Sequence, residues 1–366
     1  ALLSAAWAPR ESAEELQALV DGCIDPDGED PVHNTLMLVK SPGFEWKGAA
    51  GLADGENETM LPDHKFKIAS IGKTFTAVLI LRLVEEGVIG LDDTLGEFFK
   101  NSTVVPLDSL DVYEGTSYGR LITVRQLLGH TSGLMCFLGD DPRFIEYIVE
   151  NPGLQWTPEM MLAKYFEYHL NRKAPFPPGR GWWYADTNYL LLAMIVEEVT
   201  GSPLHEQYRK YILEPLDMGN TYLEFYEEPR GSGTLSHAYF GRLDVVAQVN
   251  TSFDWGGGGL VSTAKELDTF FRAVASGGIF EKDSTLDEML AGTEREDHWN
   301  YGLGIKKITM GGLDFYGHPG AYGCDIYYCP DEDITICTTI NQMNSHGQRE
   351  RLRETGLEIL RAGIGR

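Results

Sequence analysis

A chain of 366 residues, 43% hydrophobic and 11% aromatic, holds enough apolar material for one large core or two joined ones and has no low-complexity stretch. Its 55 acidic against 30 basic side chains leave a formal charge of −25, which argues against nucleic acid or an anionic membrane surface as partner. The five cysteines, Cys23, Cys136, Cys324, Cys329 and Cys337, are too irregularly spaced for a disulfide framework. No Cys/His cluster has zinc-ligand spacing, so neither metal nor cofactor is expected, and no run reaches the roughly 18 apolar residues of a membrane span.

In chain order, residues 1–8 read either as the end of a signal peptide with a small-residue cleavage site or as an N-terminal tail. The compartment is left open, with periplasm or secretion ahead of cytoplasm. Glu11 to Val20 has the pattern of an amphipathic helix, and Thr35 to Val39 and Phe44 to Leu52 that of two strands joined at Ser41-Pro42-Gly43. Thr74 to Glu86 is mostly apolar and closed by Gly87, as in a buried helix with a glycine cap. Residues 96–250 are richer in helical periodicity, with Tyr189 to Val199 the clearest case. The glycines at 256–259 are followed by no Lys-Ser or Lys-Thr, which excludes a phosphate loop and leaves a close approach of backbone to the core.

A helix from Ala264 to Phe271 precedes strands over Tyr301 to Ile308, Leu313 to Gly317, Cys324 to Tyr328 and Ile334 to Ile340. Cys324, Cys329 and Cys337 fall in these strands as small buried hydrophobes. The last helix, Gln348 to Arg361, carries Leu352, Gly356, Ile359 and Leu360 on one stripe. Strands at both ends with helices between predict an α/β (α+β) chain whose antiparallel sheet is built from both termini. Residues 1–95 with 251–366 would form that lobe, and 96–250 a mainly helical lobe inserted in the middle.

Chemistry concentrates at Phe66-Lys67-Ile68-Ala69-Ser70-Ile71-Gly72-Lys73, where a hydroxyl and an amine lie one turn apart at the start of the apolar helix. Residues three apart share a helix face, so Lys73 can take the Ser70 proton and make Ser70 a nucleophile. The first-turn amides and the positive end of the helix dipole favour the negative charge of acyl transfer. A lysine in water is a poor base near neutral pH, and burial in a dry cleft is expected to lower it. Ser-x-x-Lys alone is weak: at residue frequencies of roughly 6–7% each, about one chance match is expected in a chain this long. Ser262-Thr263-Ala264-Lys265 matches too. There Thr263 and Glu266 suffice as a helix-capping box, with Ser262 and Lys265 read as surface residues.

Ser70 gains weight from Tyr184-Ala185-Asp186 and His318-Pro319-Gly320, which follow it in the order of the three motifs of the serine β-lactamase and penicillin-binding-protein superfamily. The chain most resembles the branch of class C β-lactamases, D-alanyl-D-alanine carboxypeptidases, D-aminopeptidases, D-amino-acid amidases and β-lactamase-like esterases. Three longer stretches are similar to that branch as well: Thr123-Val124-Arg125-Gln126-Leu127-Leu128-Gly129-His130-Thr131-Ser132-Gly133-Leu134, Pro178 through Gly201 with Pro215-Leu216-Asp217-Met218, and Gly257 to Thr263. The similarity runs from about residue 30 to the C-terminus.

The resemblance implies a β-lactamase-like fold and a covalent acyl-enzyme on Ser70, with the amides of Ser70 and Ala321 as oxyanion hole. It also implies Tyr184 as second proton carrier, coupled to Lys73, so that which of the two is the base stays open. Gly320 would let substrate lie against its strand. Two departures bear on substrate. Asp186 stands where the family usually has Asn, and a carboxylate accepts but does not donate hydrogen bonds. It either favours a substrate with a free amine, as in D-aminopeptidases and D-amino-acid amidases, or pairs with Lys73 and orients it. His318 replaces the lysine of class C β-lactamases, which removes a fixed cation for a substrate carboxylate; a neutral His318 can still donate a hydrogen bond. Trp182, Trp183, Phe176 and Tyr322 are candidates for an aromatic pocket, Trp183 and Tyr322 as substrate contacts.

The expectation is a metal-free serine hydrolase acting on amide or ester bonds of small molecules or short peptides, D-residue substrates first. The alternatives are a D,D-carboxypeptidase, a β-lactamase or a carboxylesterase, or a catalytically silent binding protein of the same fold. The sequence does not fix the oligomeric state.

Overall fold

The computed structural model describes residues 8–364, so the expectation for residues 1–8 lies almost wholly outside the described residues. Its centre is a six-stranded antiparallel sheet, taken from two distant parts of the chain. The strands are β1 (Asn34–Ser41), β2 (Phe44–Gly51), β3 (Lys306–Met310), β4 (Leu313–Gly320), β5 (Cys324–Cys329) and β6 (Ile334–Thr339), in the spatial order β3-β4-β5-β6-β1-β2. The link between the two parts is β1 against β6, with Leu38 opposite Cys337.

Alternation along the strands divides the core in two, because successive side chains point to opposite faces. Leu36, Leu38, Ile326 and Cys337 join a large cluster with the buried helix α2 (Gly72–Glu85). Met37, Val39, Tyr327 and Ile336 join a second cluster under α1 (Ala8–Asp21) and α5 (His346–Ile364). Between the sheet's two contributions run further helices, the longest being α3 (Asp186–Thr200), and α4 (Ala264–Ala275) packs on the sheet near β5 and β6. No helix among the described residues is long and apolar enough to cross a membrane. All five cysteines are free thiols, and Cys324, Cys329 and Cys337 are buried in the strands as expected.

Three local readings need correction. The strand expected at Tyr301 begins at Lys306, because Trp299, Asn300 and Gly304 take positive φ and Tyr301 keeps only an isolated bridge to Lys306. On α5, Leu357 is buried whereas Ile359 is half-buried. Ser262 is fully buried and hydrogen-bonded to Thr221 at 2.7 Å, so it is no surface residue; Thr263 does cap α4. The glycine run does bring backbone close to the core: a Cβ on Gly258 would lie 2.9 Å from the carbonyl carbon of Ala69, beside Ser70.

Candidate functional site

Ser70 sits in a single 3-10 turn, Ala69–Ile71, that leads directly into α2, one step earlier than a first α-helical turn. Ala69 is held at φ 46°, a costly left-handed conformation for a residue with a Cβ, so the surrounding packing fixes the approach to Ser70. Lys73 follows on α2 and is completely buried. Its amine donates to Ser70 Oγ at 3.0 Å, to Asp186 Oδ1 at 2.5 Å and to the Gly257 carbonyl at 2.9 Å. Three acceptors around one nitrogen use all three protons of an ammonium. Burial alone pushes Lys73 down, but the Asp186 carboxylate and then Tyr184 outweigh it and hold the amine above the ordinary lysine range. The expected lowering of Lys73 is therefore reversed in this state of the site.

Tyr184 and Asp186 arrive from the entry to α3. The phenol of Tyr184 faces Ser70 and Lys73, with the Lys73 amine 5.1 Å from its ring centroid. Burial raises this phenol to about 12, while Lys73 opposes the rise by favouring the tyrosinate. Ser70, Lys73 and Tyr184 thus converge, although 110 or more residues separate the tyrosine from the other two. Asp186 turns its second oxygen to the Cys136 thiol, 3.2 Å away. Of the two roles open to Asp186, pairing with Lys73 is the one its geometry matches.

His318 and Gly320 lie on β4, whose last residues run past the start of β3: the β3 ladder ends with Lys306 opposite Gly317. His318 Nδ1 lies 2.7 Å from the Pro319 carbonyl, an acceptor only, so Nδ1 carries the proton and Nε2 accepts from the Tyr301 hydroxyl at 2.9 Å. Burial and the Lys73 charge push His318 down to about 3, so the ring is neutral. Its single N–H is spent within its own strand, which corrects the expectation of a donor to substrate. For Gly320 the need for a missing side chain is internal: a Cβ would lie 2.5 Å from the Ile68 carbonyl and from the Cys324 sulfur.

A cavity of about 680 Å³ opens over this constellation, lined by Ser70, Tyr184, His318, Gly320 and Ala321 and walled by Trp182 and Trp299. Lys73 and Asp186 do not line it. Trp183, Phe176 and Tyr322 do not line it. Trp183 is 39% exposed and donates to Asp140, Phe176 covers Gly181, and Tyr322 is buried with its hydroxyl on Asp254 at 2.5 Å. Among the described residues no group of three or more His, Cys, Asp and Glu side chains is arranged to hold a metal ion.

Several neighbours carry no signal of their own in the sequence. The Gly257 carbonyl is a backbone acceptor, invisible in residue type. His130, inside the stretch Leu128 to Ser132, stacks on Tyr184 with ring centroids 4.3 Å apart. Its Nδ1 accepts from the Ala185 amide at 3.2 Å and from Asn188 at 2.9 Å, which ties the loop before α3 to the tyrosine. Trp299 and Tyr301 complete an aromatic wall around Tyr184.

The chain is 27% identical to a D-stereospecific amidohydrolase of a Streptomyces sp., whose structure superposes with a TM-score of 0.76 over 93% of this chain and 99% of that one. A D-amino acid amidase of Ochrobactrum anthropi SV3 shares the fold, with a TM-score of 0.76 at 23% identity over 96% of this chain and 99% of that one. A D-aminopeptidase of Brucella anthropi is 26% identical over 322 residues, 84% of this chain and 55% of the relative. The chain spans between 37% and 63% of the length of five curated relatives that it matches. A family model described as Beta-lactamase matches residues 35–361, the whole stretch that carries the sheet and the convergent Ser70, Lys73 and Tyr184, and the chain belongs to that family.

Proposed function

We propose that this protein is a serine amidase or peptidase that forms an acyl-enzyme on Ser70 and prefers small substrates with a D-amino-acid acyl group. One observation carries the reading: the Ser70 hydroxyl, at the floor of an open cavity that Tyr184 also lines, accepts from a buried ammonium at 3.0 Å. A silent protein has no need to keep a buried cation on a cavity-facing hydroxyl, since burying a charge is costly unless it is paired. Resemblance to the D-stereospecific amidohydrolase supports the choice of substrate hand.

In this proposal Ser70 Oγ bonds to the substrate carbonyl carbon while its proton passes to Tyr184, whose ionised form is stabilised by Lys73. The carbonyl electron pair moves onto oxygen, where the amides of Ser70 and Ala321 receive it. Collapse breaks the C–N bond, and Tyr184 returns the proton to the leaving amine. Water then repeats the sequence on the ester and frees Ser70. Asp186 is a positioning residue that holds Lys73 and does not meet substrate. We also propose that the site lies at the seam of the two lobes, with Ser70 and Lys73 from 1–95 and 251–366 and Tyr184 from 96–250.

A panel of p-nitroanilides of D- and L-alanine and D- and L-phenylalanine, with p-nitrophenyl acetate and nitrocefin, tests the reading. The D-anilides are expected to exceed their L-partners in kcat/KM by about tenfold or more, since each such step needs only about 1.4 kcal/mol of differential transition-state binding. Turnover confined to the acetate ester or to nitrocefin would assign the protein to the esterase or β-lactamase alternative instead.

A further inference from the structure

Ser70 and Lys73 belong to regular backbone, a 3-10 turn and α2, whereas Tyr184 stands in the irregular stretch 182–185 ahead of α3. Its place must therefore be set from outside that stretch, and His130 meets it at residues 183, 184 and 185 in turn. The His130 carbonyl accepts from the Trp183 amide at 2.9 Å, its ring lies on the Tyr184 ring with centroids 4.3 Å apart, and its Nδ1 accepts from the Ala185 amide at 3.2 Å. His130 does this from a left-handed conformation, φ 57°, which histidine tolerates better than most side chains and which persists where the surroundings over-determine it.

The ring is itself held. Asn188 donates to Nδ1 at 2.9 Å, and Ser132 fixes Asn188 by donating to its Oδ1 at 2.6 Å. Two donors on Nδ1 leave the ring proton on Nε2, and burial, then the Lys73 charge, hold the imidazole well below the ordinary histidine range, so the ring is neutral. That Nε2 is buried and has no hydrogen-bond partner among the described residues; the rings of Trp182 and Tyr301 stand steeply to the imidazole at centroid distances of 6.0 and 4.9 Å. Phenylalanine would avoid the unmet donor and keep a stacking face, and asparagine would keep an acceptor; the imidazole supplies both at once, at the cost of that donor. We infer that His130 is a positioning residue for the Tyr184 base: it fixes the backbone on either side of the tyrosine and the plane of its ring, so that the phenol stays turned to Ser70 and Lys73. His130 is fully buried and does not line the Ser70 cavity, so it acts on the reaction through Tyr184 and not on substrate. The inference rests on the reading of Tyr184 as acceptor of the Ser70 proton.

The test uses the full chain with His130→Asn, which keeps an acceptor and tolerates the left-handed backbone, and His130→Phe, which keeps the stacking face, each made in wild type and in Tyr184→Phe. Two readouts are taken: kcat and KM on D-alanine p-nitroanilide, and the rate at which a fluorophosphonate labels Ser70, followed by intact mass. Each variant is expected to lower kcat by about 10–10²-fold, the cost of a small misplacement of a reacting group, with KM within about threefold. Labelling should slow in parallel. In Tyr184→Phe, which already lacks the phenol oxygen, neither substitution should slow labelling further by more than about twofold. A loss in the double variants equal to the product of the single losses, or a kcat within about threefold of wild type in both folded His130 variants, overturns the inference. Should thermal unfolding show that neither His130 variant folds, Asn188→Ala, which frees Nδ1 from one of its two donors, decides by the same cycle. A loss of about threefold or more in labelling that disappears in Tyr184→Phe supports the inference, and any other result overturns it. Wild type that labels at Ser70 but leaves the anilide intact overturns the amidase reading alone, and the labelling cycle still decides on His130; wild type that does not label overturns both.

Discussion

Lys73→Met and Tyr184→Phe are each expected to lower kcat/KM on a D-amino-acid p-nitroanilide by about 10²–10⁴-fold, the range of a lost general acid–base group. The double variant should fall no further than the worse single one. The reason is the shared surroundings: Tyr184 faces both Ser70 and Lys73, and the ammonium is what favours its ionised form. Removing either member leaves the Ser70 proton without a working acceptor, and groups acting as a unit fail together. Lys73→Met also strands Asp186, whose side chain is 18% exposed, and breaking such a pair costs about 3–5 kcal/mol of stability. Thermal unfolding therefore accompanies the kinetics. Adding Asp186→Asn to Lys73→Met should recover the melting temperature and none of the activity. A double Lys73/Tyr184 variant whose loss equals the product of the single losses would mean two independent groups.

Asp186→Asn in the wild-type background is expected to move the pH–rate profile in the acid direction. As the site stands, Asp186 holds Lys73 protonated and burial keeps Tyr184 at about 12, so neither is a free base near neutrality. The sign follows from the active form being the deprotonated one: wild-type kcat/KM should climb by about tenfold per pH unit across the range below that phenol value. Without the carboxylate the phenol loses a negative neighbour that raises it, while the Lys73 ammonium still favours its ionised form, so the Tyr184 base forms at lower pH. The controlling inflection should fall by about 1–3 units, the usual effect of a close charge, with a rise in activity at pH 7. Wild-type activity already flat between pH 7 and 10, or an unmoved profile in Asp186→Asn, contradicts this account of the base.

Much of the fold was legible because it rests on local pattern. Alternation in Thr35 to Val39 and in Cys324 to Tyr328 fixes which side chains enter each core, and a sheet joining both ends of the chain follows from where such segments occur. Tyr301 departs from its pattern for a local reason as well: its aromatic character suits a strand, but the positive φ of Trp299, Asn300 and Gly304 breaks the ladder until Lys306. Spacing alone was enough to bring Ser70 and Lys73 together, since both belong to one helical start. Tyr184 needed the motif order. What the chain concealed was the choice among possible partners. Asp186 had two reasonable roles, and only its 2.5 Å approach to Lys73 separates them. His318 has the chemistry of a donor, but the Pro319 carbonyl accepts its N–H proton. Trp183 and Tyr322 stand one residue from site residues, yet their side chains turn to Asp140 and Asp254, because neighbours in sequence need not share a face.

Everything in this account depends on Ser70 being the atom that becomes acylated. The direct measurement is mass spectrometry of the intact protein and its peptides after incubation with a fluorophosphonate. One adduct per chain is expected, carried by the peptide containing Ser70 and absent from Ser70→Ala. An unmodified protein, or an adduct that persists in Ser70→Ala on another residue, would contradict it.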